Sequence, residues 1–234
     1  MRYTLRALFH KISAGFTYDF QAAFDRANTG ALADASDFET VAPGSIQTGA
    51  LTVVDTGSGN VNVTSNEIQV IGSATWGGTG VYSDGFTRTV GTAFILDITW
   101  STVGAGGGIM VRSSAGVGLG ANVELLQNYT TSLAFYNITQ VNVYIAPTLS
   151  AGTAYKAAIV LGGYDSSGLP YKSGDTEANF RYGCSIFIKG GIYTNWTLLW
   201  RNHLHNDATM YAGISDYNCG IAADNMRVVT EGLE

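Results

Sequence analysis

Charge is scarce in this 234-residue chain: Asp, Glu, Lys and Arg make up only 13% of it, about half the usual share of a soluble domain. Solubility then falls to Thr, Ser, Asn and Gly, residues of turns and of the wet faces of strands. Proline is nearly absent, 3 residues against 30 glycines. Few backbone donors are lost and many positions can take positive φ, a balance suited to tight turns and bulges. No run approaches the roughly 20 apolar residues of a membrane-crossing helix. The opening MRYTLRALFHKISAG is interrupted by Arg6, His10 and Lys11 and lacks the unbroken apolar stretch of a secretion signal, so it is read as retained. Also missing are a G-x-S-x-G elbow, a G-x-x-x-x-G-K-[ST] loop, a C-x-x-C pair and an E-x-D-x-x-E strand of paired acids. Asp97 and Glu124 stand alone in their strands. The expectation is a protein that is not an enzyme.

What is present is apolar and periodic. Hydrophobic residues reach 46% and aromatics 12%, enough surface to build a core. Phe94, Leu96, Ile98 and Trp100 alternate with Ile95, Asp97, Thr99 and Ser101, and Val141, Val143 and Ile145 alternate with Asn142 and Tyr144, the period of half-buried strands. Similar stretches lie near 51–54, 60–71, 108–112, 121–127, 132–138, 154–162, 184–190, 195–202, 208–214 and 219–229. Turn clusters separate them: Asp55 to Asn60, Gly77 to Gly80, Gly104 to Gly108 and Asp165 to Gly168. No helical period recurs between the strands, which excludes alternating strand–helix architecture. The fold class is all-β, two antiparallel sheets in a sandwich, one domain over residues 18–234.

Residues 1–17 read differently. Leu5, Leu8, Phe9 and Ile12 fall at the spacing that gathers side chains into one stripe of a short helical arm. Arg2, Arg6 and Lys11 lie off that stripe. No acid precedes Asp19, so the arm carries +3 and the remainder −9 of a net −6. The stripe can be buried on its own sandwich or on a neighbouring copy in a homo-oligomer. An acidic body, with a pI near 4.9, argues against nucleic acid as a partner.

Candidate chemistry is sparse. Asp175 and Glu177, in the irregular stretch from Tyr164 to Arg181, are candidates for a shared calcium ion. His203, His205 and Asp207 would project from one face of a strand and are candidates for zinc. Solvated loop acids and turn residues explain both groups as well, and no resident cofactor is expected. Trp196 and Trp200, at even spacing, share a strand face, and with Tyr193 they are candidates for stacking on sugars. Tyr164, Tyr171, Tyr211 and Tyr217 sit nearby. Core and interface packing uses the same aromatics. Cys184 and Cys219 lie in separate strands and either pair or remain two buried thiols.

Two segments, Phe24-Asp25-Arg26-Ala27-Asn28-Thr29-Gly30-Ala31-Leu32 and Ala223-Asp224-Asn225-Met226-Arg227-Val228-Val229, resemble the opening and closing strands of concanavalin A-like (laminin G-like) jelly-roll modules. Gly91 to Ile98 leading to Gly108–Arg112 is similar to the module's paired core strands. Asp25 and Asn28 have a ready role as turn formers. The resemblance implies a jelly-roll sandwich, of a kind found in glycan-binding proteins, in accessory domains of enzymes and in structural proteins of bacteriophage particles. With no secretion signal and a basic arm, the expected role is a virion accessory subunit, a capsid decoration or tail component. It would be assembled in the host cytoplasm and attached to other virion proteins by the arm. The alternative is a lectin-like, extracellular module that binds surface glycans.

Overall fold

The computed structural model describes residues 18–23, 28–33, 46–55, 59–72, 78–87, 91–102, 107–112, 123–128, 133–137, 140–145, 149–162, 183–203 and 209–229. Residues 1–17, with the stripe Leu5, Leu8, Phe9 and Ile12, lie outside them. The described residues form seventeen strands: β1 (Tyr18–Ala23), β2 (Ile46–Thr48), β3 (Leu51–Asp55), β4 (Asn60–Thr64), β5 (Glu67–Ile71), β6 (Thr79–Ser83), β7 (Phe86–Thr87), β8 (Ala93–Thr102), β9 (Gly107–Arg112), β10 (Val123–Asn128), β11 (Leu133–Asn137), β12 (Gln140–Ile145), β13 (Ala154–Leu161), β14 (Gly183–Gly190), β15 (Tyr193–His203), β16 (Thr209–Asp216) and β17 (Gly220–Val229). The expected stretch 60–71 is two strands. Ser65 and Asn66, at φ 57° and 64°, make a two-residue hairpin turn between β4 and β5.

Two sheets result. The nine-stranded sheet runs β15-β14-β13-β8-β17-β1-β2, with β5 also on β17 and β4 on β5. The eight-stranded sheet runs β12-β11-β10-β9-β16-β6-β3, with β7 on β16. Every pairing is antiparallel, including β8 with β13 and β17 at the centre of the larger sheet. The sheets meet through one core. Phe94, Leu96, Ile98 and Trp100 of β8 and Ile186 and Ile188 of β14 face Leu51 and Val53 of β3, Ile109 and Val111 of β9, and Ala212 and Ile214 of β16. Trp100 is fully buried, and its indole N–H donates to the Gly107 carbonyl at 2.8 Å, tying the two layers by a directed bond.

Strand β17 is the element on which the larger sheet turns. One edge holds β8 along its whole length; the other holds β5 opposite residues 220–223 and β1 opposite 226–229. Between these halves sits a bulge at Asp224–Arg227 with Asn225 at φ 50°. Before it Ile221 and Ala223 point into the core; after it Met226 and Val228 do. The inward parity thus passes from odd to even numbers. Without the extra residue one half of the strand would turn its apolar side chains to the wrong face. The Asn225 amide donates to Asp97 (2.9 Å) and Asp224 (3.0 Å), and the Arg227 guanidinium donates to the Asn225 carbonyl (2.9 Å). The Asp-Asn of the closing motif is therefore the bulge itself. Asn28 of the opening motif is not a local turn former: its side chain accepts the Ser65 N–H, and Thr29 accepts that of Val63, stapling the segment to β4.

The cysteines do not pair. Cys184 lies opposite Leu161, level with the start of β8, while Cys219 precedes Gly220, which lies opposite Thr102 at its end. At about 3.3 Å per residue they are roughly 30 Å apart, far beyond disulfide reach. Both are buried, and neither is in a disulfide.

Replacing Asn225 with Val places a β-branched residue at positive φ and removes the bonds to Asp97 and Asp224, so it should cost about 2–4 kcal/mol in urea unfolding, whereas Asn225→Gly should cost about 1. Equal costs for the two would show that the bulge is not a backbone constraint.

Candidate functional site

Three polar assemblies stand out among the described residues. The first is a row of charge across the outer face of the nine-stranded sheet. Asp97 lies opposite both Asp224 of β17 and Lys156 of β13, and Lys156 lies opposite Lys189 of β14. Lys156 meets one Asp97 oxygen at 2.5 Å and Asn225 meets the other. Asp97 is thus not the isolated acid its strand implied. Glu67 joins the row, its proton affinity raised by partial burial and by the neighbouring Asp224 charge.

The second is a buried carboxylate between the sheets. Asp216 ends β16 with no exposure, accepting the Cys219 thiol at 2.5 Å and the backbone N–H of Gly72 at 2.9 Å, together with those of Tyr217 and Cys219. Burial raises its proton affinity, and these donors offset part of that rise. Its work is structural: it closes the β16–β17 turn onto the end of β5.

The third is the outer face of the eight-stranded sheet. Side-chain alternation places Tyr82 of β6, Met110 and Arg112 of β9, and Tyr211 of β16 on that face, because Val81, Ile109, Val111, Ala212 and Ile214 take the inward positions. Tyr82 lies opposite Gly213, Gly213 opposite Met110, and Tyr211 opposite Arg112. The two glycines here are required by close approach. A side chain on Gly80 would strike the Ile214 carbonyl, and one on Gly213 would strike that of Val81. The result is a strip without side chains, itself buried, between two partly exposed tyrosines. Arg112 is almost fully buried, at 1% exposure, with its guanidinium 5.7 Å from the Tyr82 ring centroid. Burial lowers the Arg112 proton affinity, and the Tyr82 hydroxyl opposes that change. A cation held against the ring fixes its orientation before any ligand arrives, which reduces the ordering cost of stacking.

The residues named from sequence are spread elsewhere. Trp196 and Trp200 do not share a face. Trp200 lies opposite Ile186 and Leu198 opposite Phe187, so Leu199 is an extra residue that reverses parity. Trp196 packs on an outer apolar cluster of the nine-stranded sheet, while Trp200 and Tyr193 pack on the core. Tyr193 holds its proton more firmly than usual, through burial and then the neighbouring Tyr155. His203 ends β15, opposite Gly183. Asp175, Glu177, His205 and Asp207 lie outside the described residues, as does the His203 side chain. Among the described residues no three His, Cys, Asp or Glu gather around a metal position. Tyr82 and Arg112 carried no sequence signal. They are 30 residues apart, and only the pairing of β6, β16 and β9 brings them together.

No family model and no curated protein matches this chain. Solved structures do. A carbohydrate-binding module, CBM66 from Bacillus subtilis, is similar at a TM-score of 0.52 and 13% identity, over 77% of this chain and 95% of that one. A Saccharomyces cerevisiae protein of unknown function gives a TM-score of 0.46 at 9% identity, over 80% and 97%. The exoplasmic/lumenal domain of VIP36, in a Ca2+/Man3GlcNAc-bound form, gives 0.48 at 11%, over 76% and 86%. At such identities a likeness establishes fold alone, and the Bacillus module carries that assignment: an all-β sandwich of two antiparallel sheets.

Because the folded Asp216 carboxyl holds its proton to higher pH than the unfolded one, its contribution to stability is full below the unfolded pKa and declines as pH rises through the folded value. Urea unfolding of the native chain and Asp216→Asn across the carboxylate range should show the native advantage shrinking with rising pH. An advantage that grows with pH would reverse the assignment.

Proposed function

We propose that this chain is a lectin-like carbohydrate-binding sandwich, and that the glycan lies across the outer face of the eight-stranded sheet against Tyr82 and Tyr211. The observation that carries this reading is the pair of partly exposed phenol rings, Tyr82 and Tyr211, the first of them fixed by Arg112, on either side of a strip without side chains at Gly80 and Gly213. Pyranose rings offer flat C–H faces that stack on aromatics, and phenol hydroxyls supply the polar contacts that orient them. Thr52, opposite Tyr82 on β3, adds a further hydroxyl at the margin. The sandwich fold, shared with a carbohydrate-binding module, is compatible with this use.

In this proposal the chain binds sugar without transforming it. Trp196, Trp200 and Tyr193 are assigned to packing, not stacking. A virion accessory role draws no direct support from the described residues or from the similar structures named above.

A glycan array is the direct test: selective signal on one class of glycan is expected, and a flat response would overturn the reading. With the strongest glycan, Tyr82→Ala and Tyr211→Ala should each weaken binding about tenfold in titration calorimetry, the scale of losing one aromatic contact. Trp200→Phe should leave affinity unchanged. Loss of binding at Trp200 alone would move the site to β15.

A further inference from the structure

The outer face of the nine-stranded sheet carries a second apolar cluster: Ala93 and Ile95 of β8, Ala158 and Val160 of β13, Phe187 of β14 and Val229 of β17, with Trp196 and Leu198 of β15 packed against it. In a two-layer sandwich that face looks onto solvent, where a phenylalanine keeps a large part of its surface wet. Here Phe187 is 3% exposed, Ile95 0% and Val229 0%. Among the described residues this cluster consists of sheet residues only, and none of the connecting segments joins it.

We propose that residues 2–13 of the same chain cover this cluster as a third layer, with Leu5, Leu8, Phe9 and Ile12 directed onto it. Chain path comes first. Tyr18 lies opposite Val229, and Val229 opposite Ala93, so the chain enters β1 at the rim of the cluster. Length agrees. The cluster spans five adjacent strands, β17 to β15, or about 19 Å at 4.8 Å per spacing, and twelve helical residues extend about 18 Å. Apolar supply agrees as well, since the stripe is the one helix-spaced run of apolar residues in the sequence that leads into this rim. Of the two ways to bury the stripe, the sandwich's own face is the one that matches it.

The stretch 163–182, which leaves β13 beside Val160, is the competing cover, and a neighbour's arm is the other. Single cysteines at Leu5, Leu8, Phe9 and Ile12, each combined with Ala158→Cys in the full chain, separate the three under mild oxidation. At least one intrachain bridge at high dilution is expected. Interchain bridges alone assign the cover to a neighbour and overturn the proposal; no bridge at any position assigns it to another segment and overturns it equally. A second measurement avoids dependence on cysteine geometry. Acrylamide quenching of Trp196, taken as the difference between the full chain and Trp196→Phe, should rise severalfold on the double substitution Leu8→Ser, Phe9→Ser in protein whose near-ultraviolet dichroism shows the sandwich intact. Unchanged quenching would contradict the proposal.

Discussion

One strand has to satisfy three neighbours, and the rest of the sandwich follows from how it does so. β17 holds β8 on one edge and divides the other between β5 and β1. A regular strand could not serve both halves, because its apolar residues fall at odd numbers before Asp224 and at even numbers after it. Asn225, one of few residue types that tolerate positive φ, inserts the residue that restores inward parity, and its amide ties the kink to Asp97 on β8. The backbone defect is thus what keeps one continuous core.

The same device, used at the edge, decides which aromatics face where. At Leu199 an extra residue sends Trp200 inward and leaves Trp196 outside. Two tryptophans at even spacing become members of different layers. The face of the eight-stranded sheet is shaped by omission instead: Gly80 and Gly213 carry no side chain because one there would meet a carbonyl of the neighbouring strand. Tyr82 and Tyr211, both partly exposed, flank that strip.

Much of this was legible in the sequence, where period-two alternation survives. Strands β3, β9, β13, β14, β16 and β17 lie within a residue or two of the stretches that the pattern marks. The inner face of β8 was readable residue by residue. Legibility stopped where the physics is non-local. The β4–β5 turn uses Ser65-Asn66 in place of a glycine pair, and β6 begins inside a glycine cluster that has no hydrophobic period. Bulges reverse parity through cross-strand register, which no local window contains. The tyrosine face was hidden for the same reason, its members meeting only through strand order, and the distance between Cys184 and Cys219 likewise follows from register alone.

The central claim is that the outer face of the eight-stranded sheet, and not the tryptophan-bearing edge strand, receives a glycan. Amide chemical-shift mapping by nuclear magnetic resonance, with the glycan that binds most strongly, tests this most directly. The account predicts perturbations concentrated in β6, β9 and β16, around Tyr82, Gly213, Arg112 and Tyr211. Perturbations confined to β14 and β15, or none at saturating glycan, would contradict it.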